Sequence, residues 1–480
     1  MAFTDLQDYI KKLEATGQLK RVTAEVDAEL EITEIADRLV KQGGPALLFE
    51  HVRNSPYPLA INLFGTPDRA CFAFGVESFD EIARRVMSFI PTGMPGTLMD
   101  KMKLLWSMKD LKNFQPRAVR SGPCQDVVEK DGPLLKSLPA LKCWPKDAGR
   151  FITLPLVITK HPETGVQNMG MYRMQIIDER RAFMHWHVHH DGAGHHRAHL
   201  ALGRDTEVAV ALGCDPATLY SATAPLPPGL DELLFAGFLR NHPVETVKAA
   251  TVDLMVPAHA EFVLEGTVGA ETGIEGPFGD HTGFYSDAGQ YPVFTLRAIT
   301  RRTAPVYPAT IVGRPPMEDY HLGKATERIF LPLIKLQLPE IVDINFPCEG
   351  VFHNCVLVSI KKEYPGHARK VASALWGLGQ MMFTKLIVVF DGDVDVQNCP
   401  EAAWKAFSNV DPERDLFFSK GPLDVLDHAA PVAVFGSKAG VDATRKLPAE
   451  GHSRGWPEEI VMDGPTRELV TRRWKDYGLG

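Results

Sequence analysis

The sequence predicts a mixed α/β (α+β) protein in three portions: an N-terminal α/β portion (1–120), a central barrel of antiparallel strands (121–315) and a C-terminal α/β portion (316–480). Three observations carry that expectation. Helical and strand-like segments alternate up to about residue 64. From Phe151 to Val312, short β-branched and aromatic runs follow one another between turn residues. Beyond that, two near-continuous apolar runs flank a helical stretch. A chain of 480 residues is also too long for one compact core.

Taken in order, MAFTDLQDYIKKLEATGQ reads as an amphipathic helix, with Thr4 and Gln7 in capping-box spacing and Gly17 as its stop. Glu31–Gln42 has helical periodicity ended by Gly43 and Gly44, and Ala46–Phe49 and Leu59–Phe64 read as short strands. Pro91–Gly96 breaks the pattern, and the basic, Met-rich stretch to Pro116 is expected to be helix and linker. Central strands are expected at Phe151–Thr159, Met169–Ile177, Phe183–His189, Val208–Leu212, Val244–Val252, Glu261–Val268, Val293–Thr300 and Tyr307–Val312, with one helix over Asp231–Arg240. Closing such a run into a barrel leaves no strand edge unpaired. Val356–Ile360 and Leu386–Phe390 read as buried parallel strands joined by a helix from Gly366 to about Met382, a βαβ unit. Asp391–Asp395 (DGDVD) superficially suggests a calcium loop, but Val396 stands where glycine is needed and Ala402 where glutamate is needed, so a solvated turn is expected.

Hydrophobic content of 45% and charged content of 23% are ordinary for a globular protein, and a net charge of −8 argues against nucleic acid as a partner. The first residues lack a secretory signal, and no run approaches the roughly 20 apolar residues of a membrane span, so a cytoplasmic protein is expected. Seven cysteines without CxxC or zinc-knuckle spacing predict reduced thiols. Phosphate-loop, dinucleotide, HExxH and GxSxG signatures are absent. The partner should be a small molecule, bound without a dinucleotide fold.

The densest chemistry lies in Gln167–Arg173 (QNMGMYR) and Phe183–Leu200 (FMHWHVHHDGAGHHRAHL), which holds seven of the seventeen histidines. On a strand, Phe183, His185, His187 and His189 would share one face and Met184, Trp186 and Val188 the other, giving an imidazole-lined site against an apolar wall. The alternative is a polar strand face followed by a polar loop. Asn168, His189 and Glu245 could supply oxygen and nitrogen ligands to a divalent cation; Glu245 could equally be a surface strand residue paired with Lys248. Regular alternation puts Asn168 and Arg173 on opposite faces, so both line one pocket only if the strand starts after Asn168 or bulges near Gly170. In Glu275–Phe284 (EGPFGDHTGF), glycines could turn Glu275 and Asp280 toward one point, where a close pair raises the proton affinity of one member while Arg173 holds the other ionised. An ordinary acidic turn is the competing reading.

With NMGMYR, EGPFGDHTG, GRPP at Gly313–Pro316, YPGHAR at Tyr364–Arg369 and GSKAGVDAT at Gly436–Thr444 in this order, the chain resembles the UbiD-type decarboxylases. The likeness starts at the opening helix, takes in EITEIAD and GGPALLFE, and reaches about residue 446. It implies a central split barrel of flavin-reductase type between two α/β portions, carrying prenylated FMN with a divalent metal such as Mn2+ and with K+ at the cofactor phosphate. By motif, Asn168, Glu245 and, less directly, His189 match metal ligands. Met171, Tyr172, Arg173, His185, Trp186, His187, His190 and Asp191, with Asn168 and Glu245, match cofactor contacts. Arg173, Glu275 and Asp280 match the catalytic trio, with Asp280 as the acid that protonates the ring carbon.

The implied activity is non-oxidative decarboxylation of a hydroxylated aromatic acid through a covalent adduct with the cofactor, in quinone biosynthesis. The candidate substrates are 4-hydroxy-3-polyprenylbenzoate or 1,4-dihydroxy-6-naphthoate, with Phe278, Phe284 and Tyr285 offering flat walls. The alternatives are a catabolic or reversible (de)carboxylase of another aromatic or heteroaromatic acid, or a flavin- or metal-binding protein without turnover. The resemblance also implies a flavin prenyltransferase as cofactor supplier, a homo-oligomer (dimer or hexamer) built through the C-terminal portion, and peripheral membrane association if the substrate is polyprenylated.

Overall fold

The computed structural model describes residues 3–89, 112–187, 190–226 and 229–479. The expected breaker at Pro91–Gly96 and most of the basic stretch after it lie outside these, as does His189. The first helix, Leu6–Ala15, is capped one residue later than expected: Asp5, not Thr4, accepts the N–H of Asp8, while Asp8 Oδ2 accepts the N–H of Thr4. A carboxylate at this position satisfies a first-turn amide and faces the positive helix end.

Three main sheets follow. Leu19–Val26, Ala46–Val52 and Leu59–Ile61 form the first, and Tyr307–Pro308, expected in the barrel, joins its edge beside Leu59 and Ala60. The last third carries a five-stranded sheet in the order Ile341–Asn345, Cys355–Ile360, Leu386–Asp391, Phe435–Asp442, Leu416–Pro422. Cys355–Ile360 and Leu386–Asp391 run parallel, and the helix between them is His367–Trp376. That helix stops short of Met382 because Gly377 caps it and Gly379 turns left-handed (φ +43°) into a 3₁₀ turn. In the acidic turn at 391–395, Asp391 accepts the backbone N–H of Arg445, and Asp393 pairs with the Arg445 side chain.

The central sheet has the order Phe151–Ile152, Met174–Ile176, Arg181–Met184, Gly289–Arg301, Phe262–Glu275, Thr206–Leu212, Leu156–Lys160, Gln167–Met171, with Val127–Glu129 added beside Gly289–Arg301. Both faces are covered. Along Thr206–Leu212, Val208, Val210 and Leu212 enter one core while Ala209 and Ala211 enter another, shared with the first helix. Val244–Val252 contributes a shorter strand, Glu245–Lys248, to a separate small sheet with Met255–Pro257 and Arg117–Ala118.

The expected strand Met169–Ile177 is two strands, and the break is what builds the site. Gln167–Met171 closes one end of the strand order, whereas Met174–Ile176 lies second from the other end. Only Tyr172 and Arg173 connect them, a span of about 10 Å, so the sheet curls until its two ends meet. Arg173 therefore sits on the seam of the barrel. The strand starts before Asn168 and pairs regularly past Gly170, and the chain turns at 172–173, so the alternation that opposed Asn168 to Arg173 does not extend to Arg173.

Candidate active site

Across the seam from Arg173 lies the loop that follows Phe262–Glu275. Glu275 ends that strand. The next residues form a two-stranded hairpin, Phe278–Gly279 with Tyr285–Ser286, whose turn is closed by Gly283 N–H donating to the Asp280 carbonyl at 2.9 Å. Asp147 anchors this hairpin, accepting the N–H of Gly279 at 2.7 Å and of Trp144 at 2.9 Å. Gly279 is required, because a Cβ there would stand 2.1 Å from the Trp144 ring.

The result is a bridged trio. Arg173 Nε donates to Glu275 Oε1 at 2.9 Å, Nη2 reaches Glu275 Oε2 at 3.3 Å, and Nη1 donates to Asp280 Oδ2. The guanidinium lies 4.5 Å over the Phe278 ring. His185 Nδ1 is 2.9 Å from Glu275 Oε2, and His281 Nδ1 is 3.0 Å from Asp280 Oδ1. Burial alone would raise both carboxyls. Hydrogen bonds from His185 and Arg173 hold Glu275 below the usual range, and His281 with the charge of Arg173 does the same for Asp280. The expectation that one member is raised by its neighbour is thereby corrected: a bridging cation removes the repulsion, and both rest as carboxylates.

The histidine-rich run divides in two. Regular pairing ends at Met184, short of the expected strand, yet side-chain parity persists: Met184 and Trp186 are buried, while the His185 and His187 rings meet at 4.5 Å on the other side. Tyr291 stacks on His185 (4.4 Å), and His190 stacks between His187 (5.0 Å) and Tyr172 (4.6 Å). Burial and the neighbouring rings lower His187 to about 4, so it is a neutral hydrogen-bonding ring at pH 7. From Asp191 to Ala201 the chain is a helix, where a polar loop was the alternative expectation. Its remaining histidines are structural: His195 pairs with Thr159, His196 with Thr206, and His199 with the Lys160 carbonyl, fastening the helix to the sheet.

Glu245 is not beside Asn168. Its carboxylate is held by Arg117 and by His259 Nε2 at 2.9 Å, and those bonds lower its pKa. Lys248 pairs instead with Asp253. The carboxylate that meets Asn168 is Glu232, the first residue of helix Glu232–Arg240, which also accepts the N–H of Met169 at 3.1 Å. Turned with its nitrogen toward Glu232 Oε1, the Asn168 amide donates across 3.1 Å. Turned the other way, its oxygen can accept from the protonated carboxyl of Glu232 or share a cation with it. Burial, with Asp231 and Asp191 nearby, raises Glu232 to about 7, as expected for a carboxylate lacking its cation. The helix over Asp231–Arg240 is legible in sequence, but Glu232 was not singled out there, because nothing local says which strand its first turn meets.

These residues fit a flavin and its metal. Asn168 and Glu232 offer two oxygens; among the described residues no third His, Cys, Asp or Glu completes a cluster, and His189 lies outside them. Trp186 Nε1 is buried without a partner beside Gly192, in the first turn of helix Asp191–Ala201, whose N-cap side chain makes no capping bond. An orphaned donor beside a helix start suits a phosphate. Of the expected walls, Phe278 is core, packed on Phe151 at 4.5 Å, and Phe284 is exposed against His428. Tyr291, not anticipated, faces the site through His185.

Residues 10–86, 117–315 and 320–443 match, respectively, the N-terminal, Rift-related and C-terminal domains described for 3-octaprenyl-4-hydroxybenzoate carboxy-lyase. An uncharacterized protein of Archaeoglobus fulgidus is 50% identical over 479 residues, covering 99% of each chain. The closed form of the vanillic acid decarboxylase of Sedimentibacter hydroxybenzoicus superposes with a TM-score of 0.86 at 27% identity, covering 100% of both chains. The UbiD-class enzyme HmfF of Pelotomaculum thermopropionicum, in complex with FMN, gives 0.81 at 27% identity over 96% of this chain and 98% of its own. With all three domains matched on one continuous chain, this protein belongs to the UbiD family of carboxy-lyases, which act on aromatic acids.

Proposed function

We propose that the chain decarboxylates a hydroxylated aromatic carboxylate in quinone biosynthesis, of the 4-hydroxy-3-polyprenylbenzoate or 1,4-dihydroxy-6-naphthoate type, using prenylated FMN. The observation that carries this reading is the Arg173 bridge between Glu275 and Asp280 at the barrel seam, beside the stacked rings of His185, His187, His190 and Tyr172. When bound, the modified flavin supplies the sink for the electrons left as carbon dioxide departs. Asn168 and Glu232 would hold Mn2+ or a similar cation, with His189 as third ligand, and K+ would sit at the phosphate near the start of helix Asp191–Ala201. Arg173 keeps Glu275 ionised and fixed. Asp280, a carboxylate at rest, takes up a proton and delivers it to the ring carbon. Burial of the trio excludes bulk water from that carbon.

A cytoplasmic homo-oligomer supplied by a flavin prenyltransferase belongs to the same reading; among the described residues no helix is long and apolar enough to cross a membrane. The likeness to the vanillic acid decarboxylase along both full chains favours, as second reading, a catabolic or reversible enzyme acting on a smaller arene acid.

The test is expression with and without a flavin prenyltransferase, followed by carbon dioxide release from 4-hydroxybenzoate, vanillate, 3,4-dihydroxybenzoate, 4-hydroxy-3-polyprenylbenzoate and 1,4-dihydroxy-6-naphthoate, with the bound chromophore identified by mass. Release from the polyprenylated or naphthoate acid supports the first reading, and release from vanillate or dihydroxybenzoate alone supports the second. No release from any acid by chromophore-loaded protein contradicts both.

A further inference from the structure

Decarboxylation consumes a proton, because an aryl carboxylate plus H+ gives the arene plus carbon dioxide. Asp280, the group that would deliver it, is only 6% exposed. Of its two oxygens, one is held by Arg173, a guanidinium that does not give up protons near neutrality. The other meets His281, whose backbone N–H donates to Asp280 Oδ1 at 2.8 Å and whose Nδ1 lies 3.0 Å from the same oxygen.

The contact does not end there. His281 Nε2 is 2.8 Å from Nε2 of His353, two residues before strand Cys355–Ile360 of the C-terminal sheet. Two imidazole nitrogens this close must share a hydrogen, one ring donating and the other accepting. His353 Nδ1 is buried without a partner. Val351 and Phe352, just before it, both have left-handed backbone (φ +45° and +52°), costly for a β-branched and an aromatic residue, and Phe352 stacks on His281 at 5.3 Å. Packing alone does not require a strained turn that presses one imidazole on another and leaves its far nitrogen unsatisfied.

Resting on the decarboxylase reading, we propose that His353 and His281 form a two-imidazole relay that recharges Asp280 with a proton from the C-terminal side of the site. A proton arriving at His353 Nδ1 releases the one on Nε2 to His281 Nε2; His281 gives its Nδ1 proton to Asp280 Oδ1, and Asp280 passes it to the ring carbon. Each imidazole gains one proton and loses one, no electrons are transferred, and tautomer exchange resets the pair. The electrostatics drive the first hand-over, whereas the last, from His281 to a carboxylate held low, runs uphill and is completed only as Asp280 passes the proton to the ring carbon. Burial would lower His281, but Asp280, with Asp319 and Asp424 facing it from helix Asp319–Gln337 and the 424–427 loop, holds it above its ordinary value. His353, faced by His281, Asp424, Asp427 and Asp280, is lowered by burial to about 4, so a proton reaching it passes downhill.

His353→Gln tests this in the holoenzyme, because glutamine can keep a hydrogen bond to His281 but cannot hand on a proton. With whichever acid of the panel the wild type turns over fastest, kcat should fall at least ten-fold, KM should stay within two-fold, the chromophore spectrum should be unchanged, and added imidazole should restore activity several-fold. A kcat within two-fold of wild type, or a fall that imidazole does not recover, overturns the relay and leaves the decarboxylase reading standing, since wild-type turnover is measured alongside. If the wild type turns over no acid, the parent reading fails, and the relay is judged on histidine 15N spectra of the apoprotein. Coupling across an N–H···N bond between His281 and His353, lost in His353→Gln, supports it; no such coupling in the wild type overturns it.

Discussion

The Arg173 seam and the Asn168–Glu232 corner both bury carboxylates at the same closure of the barrel, and they titrate in opposite directions. Glu275 and Asp280 are less exposed to solvent than Glu232, yet both are held below the carboxylate range while Glu232 is raised to about 7. Burial acts alike on all three. The difference is that the trio carries its own cation in Arg173, whereas the corner has an amide, a backbone N–H group and further acids but, among the described residues, no paired positive charge. In the proposed reading, the counter-charge that the chain supplies at the seam would be supplied at the corner by a cation from outside.

The largest effect should come from breaking the seam. Arg173→Ala strands two buried carboxylates and should cost about 3–5 kcal/mol in denaturant unfolding; a loss under about 1 kcal/mol would mean that the trio is not a closed ion cluster. At the corner the sign reverses. Because the folded pKa of Glu232 is raised, the metal-free protein has its full stability below the ordinary carboxylate value and loses some as pH climbs from about 4.5 toward 7. Glu232→Gln should therefore be more stable than wild type at pH 8 by about 1–3 kcal/mol without metal, equal to it near pH 4, and no longer stabilised by added Mn2+. Wild type and variant running parallel across that range would remove the argument for a cation site. The smallest effect belongs to Glu245→Gln, which loses a partly exposed bridge to Arg117 and His259, should cost under about 1 kcal/mol, and should leave Mn2+ binding by calorimetry unchanged.

The same contrast marks what could be read from the chain. Local signals sufficed for the helix over Asp231–Arg240, for the βαβ unit around His367–Trp376, and for the two-sided run through His185 and His187, because helical segments, apolar runs and alternation depend on near neighbours. Glu275, Asp280 and Arg173 stood out by residue type and glycine content, although their bridging was not visible. What stayed hidden is non-local. Nothing near Tyr172 says that its strand lies at one end of the sheet and the next strand near the other, or that Tyr307 will leave the barrel for the first sheet. Glu245 and Glu232 are both acids at the start of an element, and only the packing of helix Glu232–Arg240 against Gln167–Met171 separates them.

Asp280→Asn in chromophore-loaded protein tests the central claim most directly, that the trio at the seam delivers the proton replacing carbon dioxide. The variant should retain the bound flavin, with mass and spectrum unchanged, while carbon dioxide release falls by about 10²–10⁴-fold. Undiminished release from the same preparation would contradict the account.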